Sequence, residues 1–149
     1  MSCKACTEIL RATSPEQIRL CYNVMRQLRP HFTEEEPFVL QVQRQIAGGY
    51  QLAYLQEEGE VKSTIGFRFL EFLAWGKVLY IDDLSTDAAA RKQGYGSKLL
   101  EWAILQAKEA GCDQVHLDSG PHRHDAHRLY LNRSFKIIAH HFSLDLQVK

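Results

Sequence analysis

A short basic and glycine-rich segment is the clearest candidate for chemistry in this sequence. Its residues are Arg91, Lys92, Gln93, Gly94, Tyr95 and Gly96. A predicted helix begins directly after them, at Ser97. Glycine lets the backbone approach a ligand closely, while the free N–H groups and the positive dipole end of a first helical turn attract an anion. The segment therefore predicts a phosphate site, although an ordinary turn before a helix can have the same composition.

Two familiar phosphate motifs are excluded by the surrounding residues. The segment is not a P-loop, because it lacks Gly-Lys followed by Ser or Thr. It is not a dinucleotide fingerprint, because the third glycine is absent and the preceding strands are predicted to form a meander.

Two adjacent carboxylates, Asp82 and Asp83, are the second candidate. Strand alternation places neighbouring side chains on opposite faces, so one carboxylate can reach a cleft as a general base while the other packs against a cation. A solvated acidic pair is the alternative. Upstream, the three residues Glu34, Glu35 and Glu36 could attract a cationic substrate or simply favour a helix start.

Histidines and cysteines raise the question of a metal site. Five of the seven histidines lie near the C-terminal end: His122, His124, His127, His140 and His141. Their spacing and the lack of a nearby cysteine favour hydrogen-bonded or substrate-lining histidines, and we expect no metal. Cys3 and Cys6 form a C-x-x-C without a second pair, so all four cysteines are expected to be reduced thiols.

Composition limits the possible class of protein. A length of 149 residues predicts one domain over residues 1–149. The 18 Lys and Arg balance 18 Asp and Glu, and this zero net charge argues against a nucleic-acid partner. The longest apolar stretch, from Ile65 to Trp75, is too short to span a membrane and contains Arg68 and Glu71. Without a recognisable signal peptide, we expect a cytoplasmic protein.

Hydrophobic periodicity and turn residues predict the elements that position these candidates. We expect strands at 8–12, 50–56, 61–73, 78–86, 114–118 and 136–146, and helices at 15–28, 38–46, 97–110 and about 125–133. Ser14, Pro15 and Gln17 mark the first helix start as a capping box. The order is β-α-α-β-β-β-α-β-α-β, an α/β fold with a mixed, mostly antiparallel sheet of about six strands flanked by helices.

Two blocks of this sequence resemble a known family. Arg91-x-x-Gly94-x-Gly96 follows the strand that carries Asp83, and Ala126-x-x-Leu129-Tyr130 precedes Phe135. This pattern resembles the GNAT superfamily of N-acetyltransferases, and the string from His124 to Arg128 is similar to one in bacterial small-amine members such as aminoalkylphosphonate acetyltransferases. The resemblance implies the GNAT fold and acetyl-CoA as co-substrate.

The resemblance also implies which residues bind the cofactor. The backbone from Gln93 to Gly96 would hold the CoA pyrophosphate, with Arg91 adding charge. The strand carrying Leu84 would separate from its neighbour, so that the Leu84 N–H polarises the thioester carbonyl. The full implied set is Leu84, Ser85, Thr86, Arg91, Lys92, Gln93, Gly94, Tyr95, Gly96, Ser97 and Arg123.

Catalytic roles follow from the same resemblance. Tyr130 would be the general acid that protonates the CoA thiolate, and its alternative is a core tyrosine. Asp83 occupies the family's acidic position and is favoured as base over Asp82 or a water chain. Two positions depart from the family pattern: Arg123 replaces a common Asn, and Ser134 replaces a Gly, which would be strained if φ is positive.

These residues together predict an acetyl-CoA-dependent N-acetyltransferase that acts on the primary amine of a small molecule by direct attack in a ternary complex. The alternatives are a non-catalytic acyl-CoA-binding sensor or partner module, and a peptide or protein N-acetyltransferase. We expect a small-molecule amine as partner, no nucleic acid or membrane, and a homodimer as one option.

Overall fold

The computed structural model describes residues 6–147. Contacts within the chain group it into two compact units, 1–117 and 118–149. The described part of the first unit contains β1 (Thr7–Arg11), α1 (Pro15–Leu20), α2 (Tyr22–Leu28), α3 (Glu35–Ala47), β2 (Gln51–Glu57), β3 (Glu60–Phe72), β4 (Gly76–Thr86), α4 (Tyr95–Glu109) and β5 (Gln114–Leu117). The second unit contains α5 (His124–Asn132). The prediction of a single domain over residues 1–149 stays a prediction.

The strands form one five-stranded sheet in sequence order. β2, β3 and β4 pair antiparallel in sequence order, as the meander predicted for these three strands requires. β1 also pairs antiparallel with β2, and β5 pairs parallel with β4. A parallel pair needs a crossover connection, and α4 supplies it. This confirms the predicted α/β class with a mixed, mostly antiparallel sheet.

Helices cover both faces of the sheet. On one face, the Ser85 hydroxyl of β4 donates to the Val24 carbonyl oxygen of α2 over 3.1 Å. On the opposite face, Phe67 of β3 meets Trp102 of α4 with ring centroids 5.8 Å apart. The apolar stripe of α4 is buried, and Leu99 has no exposed surface. Burial on both faces fixes β4 and α4, the two elements that carry most predicted site residues.

The first helix begins as the sequence predicts, with a reciprocal capping box between Ser14 and Gln17. It differs from the prediction in being divided at Cys21, whose N–H bonds to the Ile18 carbonyl oxygen over 3.0 Å in place of an i→i−4 partner. No helix in the described part of the chain has the length and apolar composition needed to cross a membrane.

The predicted C-terminal strand at 136–146 is wrong. Residues 136–147 form no strand, so the described sheet has five strands and not about six. Alternation of apolar residues suggested a strand, but a strand also needs a neighbouring backbone to pair with. Here the side chains of Ile137, Phe142 and Leu144 are exposed to solvent, the last two by 91% and 83%.

A left-handed residue ends α5. Ser134 has a φ of +66°, which is the positive value at which a serine in the family's glycine position is strained. The turn is held by a hydrogen bond from the Phe135 N–H to the Tyr130 carbonyl oxygen over 3.0 Å. For a residue with a Cβ, this conformation costs roughly 1–2 kcal/mol of free energy.

We therefore expect Ser134→Gly to raise the free energy of unfolding by up to about 1 kcal/mol, because removing the Cβ relieves strain although glycine also loosens the unfolded chain. Urea denaturation measures the change. Ser134→Ala keeps the Cβ and is the matched control. Equal stability of the two variants would show that the turn stores no strain.

Candidate active site

Strand β4 extends further than its neighbour β5. Parallel pairing between the two ends at Ile81, opposite Leu117, while β4 continues to Thr86. Beyond Ile81, β4 is therefore no longer paired with β5 on this side. An open strand edge presents main-chain N–H and C=O groups that a ligand can pair with. β5 itself ends at Leu117, so the separation of β4 from a continuing β5 that the family resemblance implies stays a prediction.

The orientation of the β4 backbone decides which groups face this opening. The Ser85 carbonyl oxygen accepts a bond from the Ser63 hydroxyl of β3 over 2.8 Å, and the Asp87 N–H donates to the Lys62 carbonyl oxygen over 2.8 Å. Both groups point toward β3. Because successive residues of a strand point their backbone groups to alternate sides, the Leu84 N–H points to the side that β5 has left.

The two acidic residues of β4 are held in one cluster of ions. Asp83 accepts bonds from the Arg29 guanidinium at Oδ1 over 2.9 Å and from the Tyr50 hydroxyl at Oδ2 over 2.8 Å. Asp82 binds Arg68 through bonds of 2.6 to 3.1 Å. Arg29 also donates to the Asp82 carbonyl oxygen over 3.0 Å, which links the two halves of the cluster.

The prediction that Asp82 and Asp83 point to opposite faces is wrong. The β3–β4 register passes from Gly66 opposite Asp83 to Phe67 opposite Ile81, so Asp82 is an extra residue in β4. Such a bulge interrupts the alternation of side chains. Both carboxylates are consequently drawn into the same cluster.

Gly66 makes room for this arrangement. A Cβ built on it would lie 1.7 Å from the Tyr50 hydroxyl oxygen, so the phenol fills the space that any other side chain would take. The Arg68 guanidinium then lies 5.4 Å from the centre of the Tyr50 ring. Glycine within a strand is therefore what allows Tyr50 to reach Asp83.

Burial shifts the proton equilibria of this cluster. Burial, followed by the Asp83 charge, raises the pKa of Tyr50 well above its usual value, so the phenol stays protonated and donates its hydrogen bond. Burial also raises the pKa of Asp82, while the hydrogen bond and charge of Arg68 oppose that rise.

The phosphate loop (residues 91–96) joins β4 to α4. A 3₁₀ turn at Ala88–Ala90 precedes it, capped by the Asp87 carboxylate. Gly94 has a φ of +83° and stands at the N-cap of α4, where no side chain caps the helix. A Cβ at Gly94 would meet no atom within 4 Å. The N-cap residue therefore contributes no side-chain bond to the first turn, the position where a helix start attracts an anion.

The loop and the end of β4 meet at one point. A Cβ at Gly96 would lie 2.9 Å from the Thr86 hydroxyl oxygen. That hydroxyl is in turn 3.0 Å from the Ser63 hydroxyl, which also holds the Ser85 carbonyl oxygen. The structure thus brings the predicted residues of β4 and those of the loop together.

Tyr130 lies in the second unit, on α5. Its side chain is buried, and its ring centre is 5.9 Å from that of Phe135. Burial raises the pKa of the Tyr130 phenol, an effect that the charge of Arg123 partly offsets. Arg123 precedes α5, and its N–H donates to the Gly120 carbonyl oxygen over 3.1 Å. A buried phenol with a raised pKa stays protonated, as a general acid must.

The histidines and cysteines carry ordinary contacts. A ring nitrogen of His127 lies 2.8 Å from the Gly120 carbonyl oxygen, and His141 lies 3.3 Å from Asp118. Within residues 6–147, no three His, Cys, Asp or Glu side chains gather as a possible metal site. Cys6, Cys21 and Cys112 are free thiols, while Cys3 of the C-x-x-C lies outside the described residues.

The acidic run at residues 34–36 lies at the start of α3, and two of its carboxylates form ion pairs. Arg19 binds Glu35 over 2.7 Å and Glu36 over 3.2 Å. Both glutamates lie in the first turn of α3, where negative charge complements the helix dipole. This favours the helix-start interpretation over substrate attraction.

Comparison with known proteins decides the family. Residues 15–135 match the acetyltransferase (GNAT) family. The chain belongs to this family. An uncharacterised N-acetyltransferase, YhdJ, of Bacillus subtilis is 33% identical over 122 residues, covering 81% of this chain and 85% of the relative. The predicted class of enzyme, an N-acetyltransferase with acetyl-CoA as donor, is thereby confirmed.

Further GNAT relatives are similar in part or in fold. The aminoalkylphosphonate N-acetyltransferase of Salmonella typhimurium is 39% identical over 56 residues, covering 38% of this chain and 36% of the relative. A crystal structure of the aminoglycoside N-acetyltransferase AAC(6')-Iy in complex with CoA superposes with a TM-score of 0.83, covering 99% of both chains at 10% identity. That likeness confirms the GNAT fold.

The sequence did not reveal three residues that surround Asp82 and Asp83: Tyr50, Arg29 and Arg68. Their partners lie far away in sequence, so no local spacing reveals them. One signal was present, because a lone glycine inside the predicted strand, Gly66, indicates a close approach of another group.

Proposed function

We propose that this GNAT protein transfers the acetyl group of acetyl-CoA to the primary amine of a small molecule, by direct attack in a ternary complex. The observation that carries the proposal is the end of β4. There the Leu84 N–H faces the side on which β5 has ended. Asp83 immediately precedes Leu84, and the phosphate loop follows after one short turn. These are the groups that amine acetylation needs: a donor for the thioester carbonyl, a carboxylate and an anion site.

The donor is proposed to bind along β4 and the loop. The pantetheine would pair with the backbone of Leu84 and Thr86, which points away from β3. Ser85, also predicted to bind the cofactor, directs its carbonyl oxygen toward β3 and its buried hydroxyl to Val24, so it would contribute only by holding the strand in place. The pyrophosphate would accept bonds from the backbone of residues 93–96 at the start of α4. The side chains proposed to surround the phosphates and the adenosine end are Arg91, Lys92, Ser97 and Arg123.

Asp83 is proposed to take the proton from the attacking amine. A carboxylate has about four acceptor positions, and two Arg29 nitrogens at Oδ1 and the Tyr50 hydroxyl at Oδ2 fill three of them, so one position at Oδ2 remains for a substrate ammonium. Asp83 takes one proton from the ammonium, and the neutral amine nitrogen then forms a bond to the acetyl carbon. The nitrogen loses its second proton to solvent, which returns a proton to Tyr130 at the end of the cycle. The carbon–sulfur bond then breaks, and Tyr130 gives its proton to the CoA thiolate.

A small amine is proposed as acceptor because relatives with established names act on small molecules, namely an aminoalkylphosphonate and an aminoglycoside. Peptide or protein acetylation, and acyl-CoA binding without turnover, are the alternatives. The cytoplasmic location, a homodimer, and the expected lack of a metal, nucleic acid or membrane partner stay predictions.

Ligand-induced stabilisation tests the cofactor assignment. CoA and acetyl-CoA at about 100 times Kd should raise Tm by roughly 5 to 10 °C, because they bind only the folded state. ATP and NAD at equal concentration should do markedly less, since neither has a pantetheine to pair with β4. Differential scanning fluorimetry measures all four. Equal stabilisation by ATP would indicate a general phosphate site and would count against the proposal.

A further inference from the structure

A tight hairpin places a carboxylate near the phosphate loop. β2 and β3 are joined by Glu58 and Gly59, whose φ values are +52° and +77°. Two positive φ values are typical of the type I′ turn, whose twist matches that of the strands it joins. Glu57 stands opposite Glu60 in the pair that closes the hairpin. The turn therefore fixes the backbone of Glu57.

Like charges opposite each other destabilise a strand pair, so the Glu57–Glu60 pair is unfavourable by itself. The two carboxylates have different partners. Glu60 binds Lys62 on its own strand over 2.9 Å. Glu57 accepts a hydrogen bond from the hydroxyl of Tyr95, which is the first residue of α4. The hydrogen-bond partner of Glu57 therefore lies on α4 and not in its own hairpin.

Tyr95 is the buried residue in the glycine-containing part of the loop. It stands between Gly94 and Gly96, and its side chain is only 6% exposed. Its hydroxyl also lies 3.3 Å from the side-chain oxygen of Gln93. Glycines on both sides leave the backbone many conformations, and the buried phenol restricts them.

We propose that Glu57 is a positioning residue, which holds the phosphate loop in its binding conformation through the Tyr95 hydroxyl. The inference rests on the proposed function of the loop as the pyrophosphate site. A carboxylate close to an anion site should weaken anion binding by repulsion. The hydrogen bond to Tyr95 instead favours a preorganised loop, so less conformational entropy is lost when the cofactor binds.

Charge repulsion by Glu57 would weaken acetyl-CoA binding, while its hydrogen bond to Tyr95 would strengthen it. Substitution of Glu57 therefore shows which effect is larger. If Glu57 positions the loop, Glu57→Ala and Tyr95→Phe should each raise the Kd and KM for acetyl-CoA about tenfold, since a hydrogen bond to a charged group is lost. At saturating acetyl-CoA, kcat should stay within about twofold. The double variant should be no weaker than either single variant, because both remove the same bond. Glu57→Gln keeps an acceptor and should restore most of the affinity.

S-acetylpantetheine, which lacks the pyrophosphate, provides the readout that general damage to the fold would not give. We expect kcat/KM for this donor to change less than twofold in Glu57→Ala, while kcat/KM for acetyl-CoA falls about tenfold. Glu60→Ala, on the same hairpin, is the matched control and should leave both values unchanged.

The outcomes separate this inference from the proposed function. If the wild-type protein uses S-acetylpantetheine as well as acetyl-CoA, the loop does not bind the pyrophosphate and the proposed function of the loop fails. If the wild-type protein prefers acetyl-CoA and Glu57→Ala binds it equally well or more tightly, the positioning role alone is wrong. Equal losses with both donors would also overturn it, since they would indicate damage beyond the loop.

Discussion

Tyr130→Phe is expected to lower kcat about 10²- to 10⁴-fold, with little change in the affinity for acetyl-CoA. The phenol would supply the proton that the CoA thiolate needs on leaving, and phenylalanine has none to give. Because burial raises the pKa of Tyr130, the alkaline loss of wild-type kcat should come at a higher pH than that of an ordinary phenol. Steady-state kinetics against pH, with calorimetric titration of acetyl-CoA, measure both expectations.

A purely structural tyrosine would give a different result. The Phe variant would then keep kcat within a few-fold and lose about 1 kcal/mol of stability through the missing hydroxyl. His127 lies on the same helix and is the natural control, because its ring is committed to the Gly120 carbonyl oxygen. A near-normal Phe variant beside a slow His127→Ala variant would transfer the acid role to His127.

Asp83→Asn is expected to lower kcat/KM for the amine by about 10²- to 10⁴-fold near neutral pH. At this pH the amine is an ammonium without a lone pair, and the amide cannot accept its proton. The defect should shrink as the pH rises toward the amine pKa of about 10, because the free base then forms in solution. The ratio of wild-type to variant kcat/KM, followed against pH, tests this.

Asp82→Asn is the matched control for Asp83→Asn. The Asp82 carboxylate is bound to Arg68 by three contacts, so we expect its loss to slow the reaction less than tenfold. Burial raises the pKa of Asp82, which makes it the rival base. A larger defect in the Asp82 variant, with the same relief at high pH, would assign the base to Asp82.

Local signals in the sequence predicted much of the first unit. The capping box of Ser14 and Gln17, the apolar stripe of α4 and the glycines around Tyr95 act over one or two turns of chain, and the structure has them where they were expected. The meander of β2, β3 and β4 followed from the turns between them. These features need no knowledge of distant partners.

Features that depend on distant partners could not be predicted in this way. The bulge at Asp82 arises between β3 and β4, and the strand expected at 136–146 would need a neighbouring edge that alternation alone cannot supply. Arg29 reaches Asp83 from a helix end 54 positions earlier in the chain. Such contacts depend on how distant elements pack together. The sequence therefore identified Asp82 and Asp83 but not the side chains that bind them.

If the protein moves an acetyl group from acetyl-CoA to a small amine, as we propose, its turnover must depend on both compounds. The direct measurement is incubation with acetyl-CoA and a panel of aminoalkylphosphonates, aminoglycosides and simple primary amines, with free thiol and acetylated product quantified together. We expect thiol release that depends on one class of amine, an equal amount of N-acetylated product, and intersecting double-reciprocal plots, as a ternary complex requires. Tight acetyl-CoA binding with no release for any amine, or release only with peptide acceptors, would contradict the claim.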